Sequence, residues 1–132
     1  MSTVGLGQAY PIRASVPDLY EVFGKWTGGG AAEDMTLEDG DWSKGIASVE
    51  YNGATGKYLV TFTAVGEQLV HADAKVHRPT SGDDPIVSNI LIDTLDRDAM
   101  TVEVEFGATL ADIDTDEKVT FHFVWARQAP QS

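Results

Sequence analysis

Cysteine is absent from the 132-residue chain, which excludes disulfides, thiolate-bound zinc, iron–sulfur clusters and a thiol nucleophile. Stability must then come from packing or assembly. Basic residues are scarce: nine Lys and Arg stand against 21 Asp and Glu, a formal charge of −12. A surface of that sign repels DNA, RNA and anionic membranes, which bind proteins largely through Lys and Arg. Neither nucleic acid nor membrane is therefore an expected partner. Long apolar runs are missing too: none approaches the roughly 20 residues that cross a bilayer. No basic segment followed by an apolar one opens the chain, so no secretory signal is expected. Gly-x-Ser-x-Gly, Walker A and Gly-x-Gly-x-x-Gly patterns do not occur, and Gly5-Leu6-Gly7 stops short of the last. Helical period is lacking after residue 45; before it the best candidate is a single turn near Pro17 to Glu21.

The hydrophobic share of 42% and charged share of 23% suit one globular domain with a real core. Composition shifts near residue 45. Eight of the 13 glycines lie before it: Gly5, Gly7, Gly24, Gly28, Gly29, Gly30, Gly40 and Gly45. Such a segment is expected to be irregular, with a short strand from Tyr20 to Trp26. It also carries Tyr10, Tyr20, Phe23, Trp26 and Trp42, more large rings than a linker needs. Residues 1–45 therefore read as an extended Gly-rich N-terminal arm with loops that packs onto its own domain, a neighbouring copy or another protein. Residues 46–132 read as the domain proper.

From residue 46 the apolar period is two, the strand signature. Ala47, Val49 and Tyr51 alternate with Ser48 and Glu50, and Asn52-Gly53-Ala54-Thr55-Gly56 makes a hairpin loop. Tyr58, Val60, Phe62 and Ala64 follow, then Val70, Ala72, Ala74 and Val76 against His71, Asp73, Lys75 and His77. Thr80 to Pro85 is a turn-rich loop. Ile86 to Leu91 reads as a strand buried on both faces, and Asp93 to Asp98 as a polar turn. Met100, Val102, Val104 and Phe106 form another strand, and Val119, Phe121, Phe123 and Trp125 the last. Six strands at short spacing specify an all-β fold, an antiparallel β-sandwich or β-tulip-like domain.

Three constellations invite chemistry, and each has a plainer reading. His71 and His77 share a strand face with Asp73, and His122 lies on another strand, an imidazole–carboxylate mix that cupin-like proteins use for a metal. The spacing departs from the cupin pattern, and a solvated strand face accounts for these residues. Asp112-Ile113-Asp114-Thr115-Asp116-Glu117 opens like a calcium loop, but Glu117 and Phe123 stand where an EF-hand needs Gly and a bidentate Glu. An exposed acidic turn is the expectation. Glu103 and Glu105, and Asp39 near Trp42, are carboxylates that a glycoside hydrolase would need in a cleft. Charges on an exposed face that protect strand edges from pairing with other chains are the expected reading. No catalytic, cofactor or metal residue is assigned. Trp26 and Trp42 are candidates for capping the sandwich or anchoring an interface.

The segment Ala54-Thr55-Gly56-Lys57-Tyr58-Leu59-Val60-Thr61-Phe62, the alternating strand Val70 to Val76, and Thr101-Val102-Glu103-Val104-Glu105-Phe106-Gly107-Ala108-Thr109 follow in order. An acidic turn and Val119-Thr120-Phe121-His122-Phe123 complete the series. Across residues 45–126 this resembles the decoration, or cement, proteins of tailed phages, which also begin with a Gly-rich stretch. The resemblance implies a sandwich on the outer surface of the capsid in the virion, made in the host cytoplasm and often trimeric. It implies the major capsid protein and further copies of this chain as partners, no cofactor and no enzymatic activity. Tyr10, Arg13, Trp26 and Trp42 are the residues expected to grip a neighbouring surface. The rival expectations are a tail or head-fibre component, a carbohydrate-binding module stacking sugars on Trp42 or Trp26, and a cupin-like metal enzyme.

Overall fold

The computed structural model describes residues 18–80, 85–107 and 110–127. Eight strands follow one another: β1 Leu19–Thr27, β2 Trp42–Lys44, β3 Ile46–Tyr51, β4 Lys57–Phe62, β5 Gln68–His77, β6 Ser88–Asp96, β7 Thr101–Phe106 and β8 Lys118–Ala126. They form two four-stranded antiparallel sheets, a first sheet ordered β2-β1-β8-β5 and a second ordered β3-β4-β7-β6. Hairpins join β1 to β2, β3 to β4 and β6 to β7, and the chain crosses between sheets at the other connections. The expected antiparallel sandwich is what the chain builds.

Alternation decides which side chains meet in the middle. The first sheet turns Val22, Trp26, Ala74, Val119, Phe121, Phe123 and Trp125 inward; the second contributes Val49, Tyr58, Val60, Phe62, Val102, Val104 and Phe106. Phe62 is the bridge: its ring stands edge-on to Phe123 at 4.9 Å and to Trp125 at 5.4 Å. Edge-to-face rings suit the aromatic quadrupole, and each such pair adds about 1 kcal/mol to the burial of its area. Along one side the layers are tied by the Ser88 hydroxyl, which donates to the Ala74 carbonyl.

Two expectations change. The boundary near residue 45 falls inside the sandwich, because β1 pairs with β8 from Leu19↔Ala126 to Thr27↔Lys118 and β2 extends that sheet. The part of the arm from residue 18 to 45 is therefore sheet and connecting loop; of the helical turn expected near Pro17 to Glu21, Pro17 lies outside the described residues and Leu19 to Glu21 belong to β1. Gly24 hid the strand: it occupies an inward position where a larger side chain would have marked the alternation, and a Cβ there would approach the Trp26 indole nitrogen to 2.8 Å. The second change concerns Ile86 to Leu91. β6 lies at the edge of the second sheet, half exposed, with Ile92 54% accessible. Its strand runs on to Asp96 through an irregularity after Leu91, so much of the expected turn at 93–98 is strand. A short apolar run does not distinguish an edge strand from a buried one.

The Gly28-Gly29-Gly30 triple is a packing seam, not the free loop its composition suggests. A Cβ on Gly28 would lie 2.2 Å from the Asp114 carbonyl oxygen, and one on Gly29 would lie 2.1 Å from that of Asp34. Gly28 N–H donates to the Glu117 carbonyl and Gly30 N–H to that of Ile113. Only glycine lets these segments of the chain come this close.

Candidate binding face

The outward positions of the first sheet bring together exposed aromatic, basic and imidazole side chains. Strand register sets Lys44, Phe23, His122 and Asp73 in one row across β2, β1, β8 and β5. Trp42, Lys25, Thr120 and Lys75 make the next row. Four rings run across the face in contact. Trp42 and Phe23 have centroids 5.9 Å apart, Phe23 and His122 6.1 Å, and His122 and His71 5.2 Å. Trp42 is 57% exposed and Phe23 39%. Such rings present a large, rigid area at little entropic cost, which is why they anchor interfaces.

Polar partners fix several groups on this face. His122 Nε2 lies 2.8 Å from a Glu21 carboxylate oxygen, and His77 Nε2 lies 2.6 Å from the Thr120 hydroxyl. Lys118 Nζ donates to Asp41 at 2.6 Å and to the Thr27 hydroxyl at 2.7 Å. The Asp41 side chain is inaccessible to solvent and accepts further from the Thr27 hydroxyl and the Glu38 amide. Burial pushes its carboxyl upward, but the hydrogen bonds from Lys118, Thr27 and Glu38 together with the Lys118 charge outweigh that and hold it below the usual carboxylate range. At the end of the sheet a cleft of about 460 Å³ is lined by Lys25, His77, Arg78, Lys118 and Thr120 among others. A second concavity of about 590 Å³ lies between Leu19, Glu21, Lys44 and His122.

Of the expected interface residues, Trp42 stands on this face. Trp26 does not. It points inward from β1, is 5% exposed and donates its indole N–H to the Ser43 hydroxyl at 3.3 Å, so it is a core residue and no anchor for a partner. Tyr10 and Arg13 lie outside the described residues. Phe23 was not among the expected interface residues, yet its outward place had a visible signal: Leu19, Glu21, Phe23 and Lys25 alternate with Val22, Gly24 and Trp26, and only the glycine weakened it; His122, weighed as a metal ligand, stands beside it on β8.

The three constellations resolve differently. His71 and His122 come together, but His77 lies further along the sheet against Thr120, and among the described residues no three metal-ligating groups converge. The acidic turn after β7 is not simply solvated. Glu117 is 2% exposed, ion-paired with Arg78 at 2.6 Å and bonded to the Asp114 amide at 2.9 Å. Asp112 accepts from Gly56 N–H at 2.7 Å and Ala32 N–H at 3.0 Å, so it staples two loops. Tyr58 completes the clasp by accepting from Ile113 N–H at 2.9 Å, and burial pushes its phenol up to about 12. These carboxylates fasten backbone amides, a structural use that leaves few oxygens for calcium. Glu103 and Glu105 lie on the outer side of the second sheet, bonded to Asn52 and Asn89. Comparisons of the chain with protein-family models, with curated proteins and with solved structures return no match.

Proposed function

We propose that this chain is a non-enzymatic virion component, a capsid decoration protein that binds the outer surface of the major capsid protein and stabilises the head. The observation that carries the reading is the ring row from Trp42 to His71, three of its four rings exposed and His122 half-buried, spread over an open sheet face. Surface chemistry of this kind suits adhesion to another macromolecule. The order of strand motifs from residue 54 to 123 supports the phage assignment, and the β-sandwich agrees with it. In a shell under internal pressure, many copies of a clip make modest contacts cumulative. Assembly as a trimer belongs to the same proposal.

Co-sedimentation of the purified protein with mature shells of the capsid protein encoded beside it tests the proposal. Saturable binding at a fixed ratio to capsid subunits, with a raised shell melting temperature, is expected, and sedimentation equilibrium reads the trimer directly. Absence of binding to mature shells overturns it. One alternative has its own observation: Trp42 beside Phe23 is a ring pair on which a sugar can stack. Glycan-array binding that disappears in Trp42→Ala would favour that carbohydrate-binding reading.

A further inference from the structure

The strands of the two sheets carry opposite charge. Those of the first hold Lys25, Lys44, Lys75, Lys118 and all three histidines against only Glu21 and Asp73. Those of the second hold Lys57 against Glu50, Asp93, Asp96, Glu103 and Glu105. In a chain of charge −12 the first sheet is thus a basic island. Lys25, Lys44 and Lys75 are exposed and make no ion pair among the described residues. Between them stand the exposed rings of Phe23 and Trp42. Beside Lys25 the end cleft holds Lys118 and Arg78, ion-paired with Asp41 and Glu117 respectively, and one further carboxylate, Asp116, so the unpaired cations of the face are Lys25, Lys44 and Lys75.

We propose that the outer face of the first sheet is the docking face and that its occupant is a protein surface bearing carboxylates around apolar groups. The charge complementarity picks the occupant. A basic patch on an otherwise acidic molecule steers an acidic partner into one orientation, because every other approach is repelled. Nucleic acid is disfavoured: four lysines neutralise few phosphates, and the surrounding carboxylates lie within about one Debye length of any long polyanion. Exposed rings among the lysines match a partner that is itself part apolar, as protein surfaces are. The inference rests on the capsid reading only in naming the shell as the place where such a surface occurs.

Size sets the expected strength. Three strands of nine or ten residues, with residues about 3.3 Å apart and strands about 4.8 Å apart, and the three-residue β2 beside them give a face of roughly 500 Å². Stable interfaces bury about 800 Å² per partner, so one copy binds weakly and an array binds well.

Amide shift mapping on the ¹⁵N-labelled full chain, titrated with a deca-glutamate peptide at low salt, is the first arm. Shifts confined to β1, β2, β5 and β8, suppressed by added salt, are expected. Shifts on β3, β4, β6 or β7, no shifts at all, or tighter binding of a short DNA duplex would overturn the proposal. The second arm uses shells. Lys25→Glu with Lys75→Glu is expected to weaken binding at least about tenfold, whereas Glu103→Lys with Glu105→Lys on the other sheet leaves it unchanged. Lys25→Gln with Lys75→Gln, expected to fold with an unchanged amide spectrum, gives a smaller loss and guards against a folding artefact. If deca-glutamate maps to the first sheet but wild-type protein ignores mature shells, the capsid reading fails and the docking face stands. Equal shell binding by wild type and the Glu double variant sinks the docking face alone.

Discussion

The two sheets are alike inside and unlike outside. Both present alternating Val, Phe and other large apolar groups to a common core, and both are four-stranded and antiparallel. On the outside, the second sheet offers Glu50, Glu103 and Glu105 with one lysine, Lys57, while the first offers lysines, histidines and two exposed aromatic rings. Folding needs only the inner half of each strand pattern. The outer half is free to vary, so a difference there reports a demand other than stability. Carboxylates with asparagine partners keep the second sheet solvated. Exposed Trp42 and Phe23 on the first sheet bring no comparable solvation, and the proposed partner would account for them.

The largest expected effects lie where the sheets are equivalent. Phe62→Ala in the second sheet and Phe123→Ala in the first each remove one ring of the same edge-to-face pair. Each is expected to cost about 3–5 kcal/mol in urea unfolding, because the cavity stays open in a tightly packed core. Costs that differ widely between the two would break the claim that the inner faces share one core equally.

Next comes the buried pair that holds a lysine of the basic face in place. Asp41→Ala removes the acceptor of the Thr27 hydroxyl and the counter-charge of Lys118, whose bond to Thr27 remains, and an expected loss of about 2–3 kcal/mol follows, reduced because Lys118 is partly exposed. The same site predicts an acid limb. Asp41 has a folded pKa below its unfolded value, so its stabilisation is fully present above about pH 4 and fades as pH falls through the folded pKa. Thermal melts of Asp41→Asn between neutral and acid pH should show a shallower acid decline than wild type.

How much of this was legible in the sequence depends on whether a residue's role is local. β3, β4, β5, β7 and β8 could be read from alternation, and the Asn52–Gly56 hairpin from turn chemistry, because both signals sit in consecutive residues, whereas β6 showed only as an apolar run whose edge position and length that run did not reveal. β1 was read only as a short strand within a loose arm, since Gly24 interrupts its inward row and the segment's other glycines suggested loops. The clasp of Asp112 and Glu117 on Gly56, Ala32 and Arg78 joins residues far apart in sequence, so nothing local announced it. The ring row across β2, β1, β8 and β5 likewise exists only once the register is known.

Gly28→Ala tests that clasp. Its Cβ would press into the Asp114 carbonyl, and the backbone on both sides must shift; about 2 kcal/mol is the expected cost by denaturant titration. A neutral result would mean the seam is looser than its hydrogen bonds indicate. Tyr58→Phe is gentler, about 1 kcal/mol, because the Ile113 amide loses its acceptor while the ring still packs. With the folded phenol pushed up to about 12, Tyr58 stabilises the fold below about pH 10 and loses that contribution as pH rises toward 12. The Phe variant should lack this alkaline limb in melts recorded across that range.

The smallest expected change in stability separates the outer faces most sharply. Trp42 ends the ring row on the edge strand β2, and most of its surface already meets water, so Trp42→Ala removes little buried area. The expected shift is within about 0.5 kcal/mol, comparable to Glu103→Gln on the other sheet. Stability alone therefore cannot explain a tryptophan at this position, and binding is where the two variants should part. Loss of shell co-sedimentation in Trp42→Ala, with Glu103→Gln unaffected, would tie the first sheet's outer face to its partner. If Trp42→Ala instead lowers stability by several kcal/mol, its contact with Phe23 belongs to the core, and the ring row becomes a structural cap on β2 with no need of a partner.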